Sequence, residues 1–239
     1  MTNMQSSKKV FKKPPTKYKP RGLEILHEDL DIIVVNKSNG LLTIASNKEK
    51  EKTVFNLLND YVKKGNMKSR NRVIAVHRLE REMSGILVFA KSEAAKNFLI
   101  ENWSNFDRKY IAITHGIFEK PEGTISSYLK ENSIFRVYSV QKSEEGTLSK
   151  TTYKVLKSSS KFSLVEIKLR TNHKKQIRVH CADIGHPIVG DKIYGDKSDK
   201  GSTRLALHAN SLSILHPFSK EKMKFVTPIP LFFKTLLSK

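Results

Sequence analysis

The sequence predicts an α+β protein with a mixed, largely antiparallel sheet and flanking helices. Three observations support this class. Short runs of β-branched and aromatic residues follow one another along the chain, helical periodicity occurs only in isolated segments between them, and no glycine-rich turn joins a strand to a helix in the βαβ manner. With 239 residues the chain is long enough to bury a sizeable core, as one large domain or two small ones.

Basic residues dominate the charge of the chain. The formal net charge of +21 indicates a polyanionic partner, which is RNA, DNA or an acidic membrane face. The longest apolar runs are only a few residues, whereas a spanning helix needs about 20, so we expect no membrane insertion. The single cysteine, Cys181, excludes a disulfide framework and a thiolate metal site. It fits a reducing, cytoplasmic compartment and is expected to be a small buried hydrophobe.

The composition of the first 22 residues predicts a solvated basic tail. They contain seven Lys and Arg residues, three prolines and no acidic residue, and they lack the apolar core of a signal peptide. Without these seven charges, residues 23–239 still carry +14. The predicted globular part is therefore basic as well.

A hairpin and a helix are predicted in the first part of this region. Residues 31–45 form two apolar runs on either side of Asn39 and Gly40, and Asn-Gly between strands favours a two-residue hairpin turn. Thr53 then precedes apolar residues at i, i+3, i+4, i+7 and i+8. This spacing predicts an amphipathic helix with Thr53 as its N-cap and Gly65 as its C-cap.

Strands and two further helices are predicted in the rest of the chain. We expect a helix capped by Ser92 and running through Trp103, a strand over 109–116, a second hairpin from 151–156 and 162–169, a helix over 176–184, and closing strands over 204–215 and 223–226. Residues 120–146 give the weakest signals, and we assign them no function.

The segment 75–90 places charged residues between two apolar runs. The runs at 73–76 and 86–90 are typical of buried strands. Between them lie His77, Arg78, Glu80, Arg81 and Glu82. Burying charge is costly unless it is paired, so such a cluster belongs at the rim of a sheet, facing solvent or a substrate. The pattern alone is compatible with a salt-bridged turn or with a substrate site.

Nucleotide-cofactor and zinc sites find no support in the sequence. No glycine-rich run opens a helix with a lysine in the position that a phosphate loop requires. The eight histidines never pair at i, i+4 around an acidic residue.

Several motifs, in their order, resemble the RluA-type pseudouridine synthases. The family's Asn-Lys-Pro-x-Gly is similar to residues 36–40, its His-Arg-Leu-Asp-x-x-Thr-Ser-Gly to 77–85, and its Lys-x-Tyr-x-Ala to 108–112. Its Thr-Gly-Arg-x-His-Gln-Ile-Arg-Val-His resembles residues 171–180, and its Gly-His-Pro and Gly-Asp-x-x-Tyr-Gly are matched at 185–187 and 190–195. The resemblance runs in order from about residue 23 to 232.

Four departures from the family pattern stand at or near its site. Glu80 replaces the family aspartate, Met83 a threonine, Asn172-His173 a Gly-Arg pair, and Lys175 a histidine. Glu80 matters most, because the resemblance puts the catalytic carboxylate at this position.

The resemblance implies that residues 23–239 form a pseudouridine synthase domain with a central basic cleft. It also implies that the enzyme uses no metal or organic cofactor. The S4-like RNA-binding domain that is frequent at the N-terminus of this family has no room before residue 23.

The resemblance also implies roles for individual side chains. Glu80 is the catalytic carboxylate, which either attacks the substrate or removes a sugar proton, and Arg178 pairs with it. Tyr110 stacks on the uracil and helps to remove the C5 proton. Arg78 displaces or replaces the target base in the RNA stack, because a base must leave the stack before chemistry can reach it. The other residues expected to contact RNA or assist base flipping are His77, Arg81, Lys37 and Lys175.

The implied activity is the isomerisation of specific uridines to pseudouridine in structured rRNA or tRNA by a monomer. The extra methylene of Glu80 moves the carboxylate by roughly an ångström, and misplacement on this scale costs about 100-fold in rate. The alternative is therefore a non-catalytic RNA-binding protein or RNA chaperone on the same scaffold. A DNA-binding regulator would need a recognition helix or zinc module, which the sequence lacks.

Overall fold

The structure is a computed structural model that describes residues 19–45, 53–142, 145–196 and 204–238. The strands are β1 (Leu23–Glu28), β2 (Ile32–Lys37), β3 (Ile74–Ala75), β4 (Ser84–Ala90), β5 (Asp107–His115), β6 (Glu122–Glu131), β7 (Val137–Val140), β8 (Thr147–Ser158), β9 (Phe162–Leu169), β10 (Leu207–Leu215) and β11 (Lys222–Val226). The helices are α1 (Val54–Lys63), α2 (Glu93–Glu101), α3 (Gln176–Asp183) and α4 (Leu231–Leu237), and a single 3-10 turn covers Trp103–Asn105.

All of these strands belong to one sheet, in the order β1-β2-β4-β10-β5-β9-β8-β6-β7, with β3 paired to β4 and β11 paired to β10. Among these strands only β4 and β10 run parallel to each other, with His208 opposite Ser84 and Ala209 opposite Gly85. The other strand pairs are antiparallel. The predicted α+β class with a mixed, largely antiparallel sheet is therefore confirmed.

Both faces of the central strands are buried. Along β2, Ile33 and Val35 join one apolar cluster, with residues of α1, α3 and α4, whereas Ile32 and Val34 join a second cluster with α2. A strand that is covered on both faces reads as a continuous apolar run, which explains why β2 lacks the alternation of a half-exposed strand.

The predicted N-caps of α1 and α2 are confirmed. Thr53 Oγ1 accepts a hydrogen bond from Asn56 N at 3.1 Å, and Ser92 Oγ accepts one from Ala95 N at 3.1 Å. The C-cap of α1 differs from the prediction: Lys64 takes the left-handed conformation after the last helical residue, one position before the expected glycine.

The predicted hairpin around Asn39-Gly40 is wrong. Strand β2 pairs with β1 and β4. Between the turn and α1 the described residues form no strand, only an isolated bridge between Leu42 and Thr53. The hairpin lies one connection earlier, where Asp29 Oδ1 accepts hydrogen bonds from the backbone of Asp31 and Ile32, each at 2.8 Å. The Asn-Gly signal marks a turn, but the chain leaves the sheet after it.

Residues 120–146, which gave the weakest signals, contain the long strand β6 and the short strand β7. Few positions of β6 are buried, Ile125 and Leu129 among them. Polar residues occupy most of the remaining positions, so the apolar pattern that identifies a strand is sparse there.

Three further expectations concern Cys181, the basic tail and membrane insertion. Cys181 is buried as predicted, and burial raises the pKa of its thiol to about 12. Residues 1–18 of the predicted tail lie outside the described residues, whereas Gly22 O accepts hydrogen bonds from both the backbone and the hydroxyl of Ser38. No helix in the part of the chain that the structure describes is long and apolar enough to cross a membrane.

Candidate active site

A cavity of about 780 Å³ lies where three segments of the chain meet. Residues 42–45, 78–83 and 172–178 line it, together with Tyr110, Leu169 and Leu207. The cavity therefore brings together Glu80, Tyr110 and Arg178, which are 30 or more positions apart in the sequence. Its size lies within the usual range for small-ligand sites, about 300 to 1,000 Å³.

Arg178 connects two carboxylates at the floor of the cavity. Its Nε donates to Asp191 Oδ2 at 2.7 Å and its Nη2 to Asp191 Oδ1 at 2.5 Å, while its Nη1 donates to Glu80 Oε2. Asp191 Oδ1 also accepts hydrogen bonds from the backbone of Ile193 and Tyr194. Arg178 and Asp191 are both buried, whereas the Glu80 side chain is 26% exposed and faces the cavity.

Burial and pairing act in opposite directions on this group of charges. Burial alone would lower the pKa of Arg178, but the hydrogen bonds and charges of Asp191 and Glu80 outweigh it and hold that pKa above its usual value. Burial likewise opposes ionisation of Asp191, and the guanidinium with two backbone N–H groups holds its pKa below its usual value. Both groups are charged throughout the neutral range.

The backbone on either side of Glu80 is held by residues 37–43. Thr43 Oγ1 donates to Leu79 O at 2.8 Å and accepts from Leu79 N at 3.1 Å. Gly40 N donates to Arg81 O at 2.8 Å, and Arg81 Nε donates back to Gly40 O at 3.1 Å. The segment after β2 thus makes its hydrogen bonds with the Glu80 segment (residues 79–83) instead of forming a strand.

Lys37 requires a correction to its predicted role in RNA contact. Its side chain is fully buried, and its Nζ donates to Leu41 O at 2.8 Å and to Met83 O at 2.5 Å, with Ser38 O and Arg81 O at 3.2 and 3.3 Å. Burial lowers the pKa of this ammonium to about 8, and Glu82 partly offsets that effect. Because it has no exposed surface, Lys37 supports the Glu80 segment from below and does not reach RNA.

His77 is also held away from the cavity that its neighbours line. Its ring lies against that of Trp103, with 4.2 Å between centroids and the planes tilted by 33°, and its Nε2 accepts a hydrogen bond from Val88 N at 3.1 Å. Burial, with the nearby charge of Arg108, lowers the pKa of His77 to about 3. The expectation of RNA contact is therefore corrected to a packing role, because His77 does not line the cavity and its ring is held by Trp103 and the Val88 backbone.

The remaining residues that were predicted to contact RNA line the cavity. Arg78 and Arg81 are exposed, and Lys175 is half-buried with its Nζ donating to Phe135 O at 2.9 Å. Together with Lys174 and Arg178 they give the lining five permanent cations, against the carboxylates of Glu80 and Glu82.

Tyr110 lies on β5, opposite Ala209 of β10 and Ile167 of β9. Burial raises the pKa of its phenol, and the charge of Arg108 only partly offsets this. The hydroxyl is therefore protonated at neutral pH. Tyr110 presents the cavity with an aromatic ring and a hydrogen-bond donor, and not with a phenolate.

The family departures at 172–175 lie on a turn that is held from behind by Gln176. Its Oε1 accepts from Thr171 Oγ1 at 2.9 Å and from His173 N at 3.0 Å, and its Nε2 donates to Lys150 O and Thr151 Oγ1. The side chains that depart from the family pattern therefore project from a turn whose backbone is held by these hydrogen bonds. Met83, the remaining departure, is buried in the larger core cluster.

Sequence reasoning assigned no role to Asp191, although it matched the surrounding residues as a motif. The available signal was an acidic residue directly after Gly190, at the end of the buried pair Ile188 and Val189. A carboxylate at such a buried position requires a partner of opposite charge.

One His/Asp cluster in the described part of the chain has the proximity of a metal site: Asp29, Asp31 and His216 place their ligand atoms within 4.8 Å of one another. The hydrogen bonds argue against that use. His216 Nδ1 accepts from Phe218 N and Ser219 N, which puts its proton on Nε2, facing Asp29 Oδ2 at 3.2 Å. The other oxygen of Asp29 is taken by backbone N–H groups, so the cluster closes a turn.

Comparison with known proteins agrees with this geometry. The family model for RNA pseudouridylate synthase matches residues 31–183. An uncharacterised RNA pseudouridine synthase of Bacillus subtilis is 33% identical over 214 residues, 88% of this chain and 70% of the relative. Ribosomal large subunit pseudouridine synthase D of Buchnera aphidicola is 33% identical over 238 residues, 91% of this chain and 73% of the relative.

Solved structures give the same result. Human RNA pseudouridylate synthase domain containing 4 superimposes with a TM-score of 0.75 at 25% identity, over 90% of this chain and 91% of the human one. The chain belongs to the RNA pseudouridylate synthase family. It is an RNA pseudouridine synthase, an isomerase that acts on uridine in RNA.

Proposed function

We propose that Glu80 is the catalytic carboxylate of this synthase, with Arg178 as its charge partner and Tyr110 as the residue that stacks on the uracil. The observation that carries the proposal is the ion pair between Glu80 and Arg178 in a cavity that Tyr110 also lines. No other described carboxylate of this cavity has such a partner, because the hydrogen bonds of Arg178 go to Glu80 and to Asp191 beneath it.

The reaction requires a group that acts on the sugar and a cavity that retains the free base. The bond between N1 of uracil and C1′ of ribose breaks, the base turns, C5 bonds to C1′, and the proton of C5 is lost while N1 gains one. Glu80 acts on the sugar, as nucleophile or as base. Arg178 keeps Glu80 ionised, and the Tyr110 ring holds the detached uracil against loss to solvent.

The length of Glu80 is compatible with this role because Arg178 determines where the carboxylate lies. Asp191 orients the guanidinium with two hydrogen bonds, and Nη1 then offers one donor at the cavity floor. Glu80 meets that donor despite its extra methylene. The bonds from Thr43 and Lys37 to the Glu80 segment allow the backbone to sit where the longer side chain needs it.

RNA contact is proposed for Arg78, Arg81 and Lys175, with Arg78 entering the stack as the target base leaves it. These are surface cations at the mouth of the cavity, whereas Lys37 and His77 are scaffold residues. The substrate proposed is structured rRNA or tRNA. Relatives named for the ribosomal large subunit support rRNA, and the net charge of +21 suits either. We propose that the enzyme works as a cytoplasmic monomer with residues 1–22 as an added basic contact.

The test is pseudouridine formation in unmodified total RNA, measured by mass spectrometry for wild type, Glu80→Gln and Glu80→Asp. Glu80→Gln keeps the shape of the side chain and removes the charge. We expect product from wild type and a loss of at least about 1,000-fold with Glu80→Gln. Glu82→Gln, which removes a neighbouring carboxylate without a bond to Arg178, is the matched control and should retain most activity.

Two outcomes would overturn the proposal. Full product from Glu80→Gln would exclude Glu80 as the catalytic group. No product from wild type, with activity appearing in Glu80→Asp, would identify a scaffold that has lost its catalytic acid, and a non-catalytic RNA-binding function would replace the proposed one.

A further inference from the structure

The turn between β6 and β7 presents two large apolar side chains to solvent. Ile134 is 76% exposed and Phe135 is 67% exposed, at the tip of residues 132–136, which we call the Phe135 turn. Neither side chain belongs to a core cluster of the described residues. A single exposed apolar side chain needs no explanation, but two adjacent ones at the tip of a hairpin form a small apolar patch that is open to a partner.

The Phe135 turn is ordered by its own hydrogen bonds. Asn132 Oδ1 accepts from Ile134 N at 3.2 Å and from Arg136 N at 2.8 Å, and Phe135 N donates to Asn132 O at 3.0 Å. The backbone of Phe135 has a φ of 60°, a left-handed conformation that costs a bulky residue about 1 to 2 kcal/mol. The turn thus holds an aromatic side chain at a position where glycine or asparagine would be easier.

Basic residues of the active-site cavity hold this turn in place. Lys175 Nζ donates to Phe135 O at 2.9 Å, and Lys174 Nζ lies 5.1 Å from the centre of the Phe135 ring. Both lysines line the cavity that contains Glu80. Phe135 is therefore at the rim of the catalytic cavity.

A second set of contacts connects the turn to Arg178. The guanidinium carbon of Arg136 lies 5.6 Å from the centre of the Tyr194 ring, and that of Arg178 lies 5.5 Å from the same ring. Tyr194 OH accepts a hydrogen bond from Val137 N at 3.0 Å. The position of the turn is thus coupled to the arginine that pairs with Glu80.

We propose that the ring of Phe135 is a stacking platform for an unpaired RNA base next to the target uridine, with Arg136 beside the neighbouring phosphate. Lys174 Nζ pairs with Glu131 Oε1, so its part is to hold the ring and not to bind phosphate. An exposed aromatic ring among cations is the combination that binds single-stranded nucleic acid, because every base offers a face for stacking and every linkage a negative charge. Flipping the target out of its stack also leaves its neighbour without a partner, and the ring can replace that partner.

The inference rests on the proposed function, but its test does not require catalysis. A fluorescein-labelled single-stranded U12 oligonucleotide is titrated with the full-length protein, beside an abasic ribose-phosphate 12-mer of equal charge. We expect Phe135→Ala to weaken U12 binding about 10-fold and to leave binding of the abasic oligomer unchanged, while Phe135→Trp binds U12 as wild type does. Phe218→Ala is the control, because Phe218 is 81% exposed in the turn between β10 and β11.

The melting temperature separates stacking from a structural role. Phe135→Gly removes the ring and suits the left-handed backbone, so it should melt no lower than wild type while it loses U12 affinity as Phe135→Ala does. Equal U12 affinity of wild type and Phe135→Ala would overturn the inference, as would equal losses on the abasic oligomer or in Phe135→Trp. Absence of pseudouridine formation by wild type would overturn the proposed function and leave a stacking result intact.

Discussion

Asp191 holds the guanidinium of Arg178 by two hydrogen bonds, of 2.7 and 2.5 Å, and leaves the Nη1 donor for Glu80. Asp191, to which sequence reasoning assigned no role, thus orients the partner of the proposed catalytic carboxylate. Asp191 acts on Glu80 through Arg178 and does not contact Glu80 itself, so it is a positioning residue.

Replacement of Asp191 by Asn should therefore reduce both stability and turnover. Removing one partner of a buried ion pair costs about 3 kcal/mol, and loss of the orienting contact should slow single-turnover pseudouridine formation by about 10- to 100-fold. Urea denaturation and the rate measure the two effects. Asp183→Asn, at an exposed aspartate of α3, should stay within about 1 kcal/mol of wild type. A wild-type rate in Asp191→Asn would contradict the positioning role.

The free energy of unfolding of wild type, compared with that of Lys37→Met at several pH values, should show that the Lys37 ammonium is buried. The pKa of Lys37 is about 8 in the folded protein and 10.5 when exposed, so between these values the unfolded chain binds more protons. The free energy of unfolding of wild type should then rise with pH above about 8, relative to Lys37→Met, by up to about 1.4 kcal/mol per pH unit. Urea melts at several pH values measure the difference. Lys68→Met, which removes an exposed lysine, is the matched control.

Gly85→Ala should prevent stable folding. The Gly85 backbone has a φ of 119°, and an added Cβ would lie 2.3 Å from Ala209 O and 2.5 Å from Ala209 N. The obstacle is the backbone of β10 in the parallel pair, so it cannot rotate away, and we expect a loss of more than about 3 kcal/mol. Circular dichroism on heating measures it. Gly185→Ala shares a positive φ but meets nothing within 4 Å, and it should cost only about 1 kcal/mol.

His208→Gln should reduce the sensitivity of the protein to acid. His208 is buried between Ser84 Oγ at 2.8 Å and Thr227 Oγ1 at 2.9 Å, and burial lowers its pKa to about 4. Below pH 6.5 the unfolded chain takes up a proton that the folded protein does not, so wild type loses up to about 1.4 kcal/mol per pH unit down to pH 4. Glutamine does not titrate. Equal slopes for wild type and variant between pH 6.5 and 5 would contradict a neutral buried ring.

Deletion of residues 1–22 should flatten the salt dependence of RNA binding. The segment carries seven positive charges, and each phosphate contact contributes about 0.7 to 0.9 to the slope of log K against log salt. Fluorescence anisotropy with labelled tRNA over roughly 50 to 300 mM salt measures the slope, which should fall by up to about 6. An unchanged slope would exclude the segment from the interface.

Local signals of the sequence predicted local structure well. The caps at Thr53 and Ser92 formed as expected, because each depends only on residues within one helical turn. Asn39-Gly40 failed as a hairpin, because the backbone after it bonds to the Glu80 segment some 40 residues away. A turn residue indicates that the chain reverses but not what the following segment pairs with.

In the candidate site too, contacts between distant residues could not be predicted from local patterns. The meeting of Glu80, Tyr110 and Arg178 was expected only from the resemblance to a family, because no spacing rule joins positions 80 and 178. RNA contact of Lys37 was expected from the same resemblance, and lysine is usually exposed. Its burial depends on four carbonyl groups that converge only in three dimensions, which a linear pattern does not show.

The position of β10 also has a consequence for synthesis on the ribosome. It is among the last strands to be made, yet it lies between β4 and β5, and its His208 bonds to Ser84, 124 residues earlier. A nascent chain that ends after α3 and before β10 contains Glu80, Tyr110 and Arg178 but lacks the strand that joins β4 to β5 in the sheet. We therefore expect the two parts of the sheet, and with them Glu80 and Arg178, to come together only after β10 has been made.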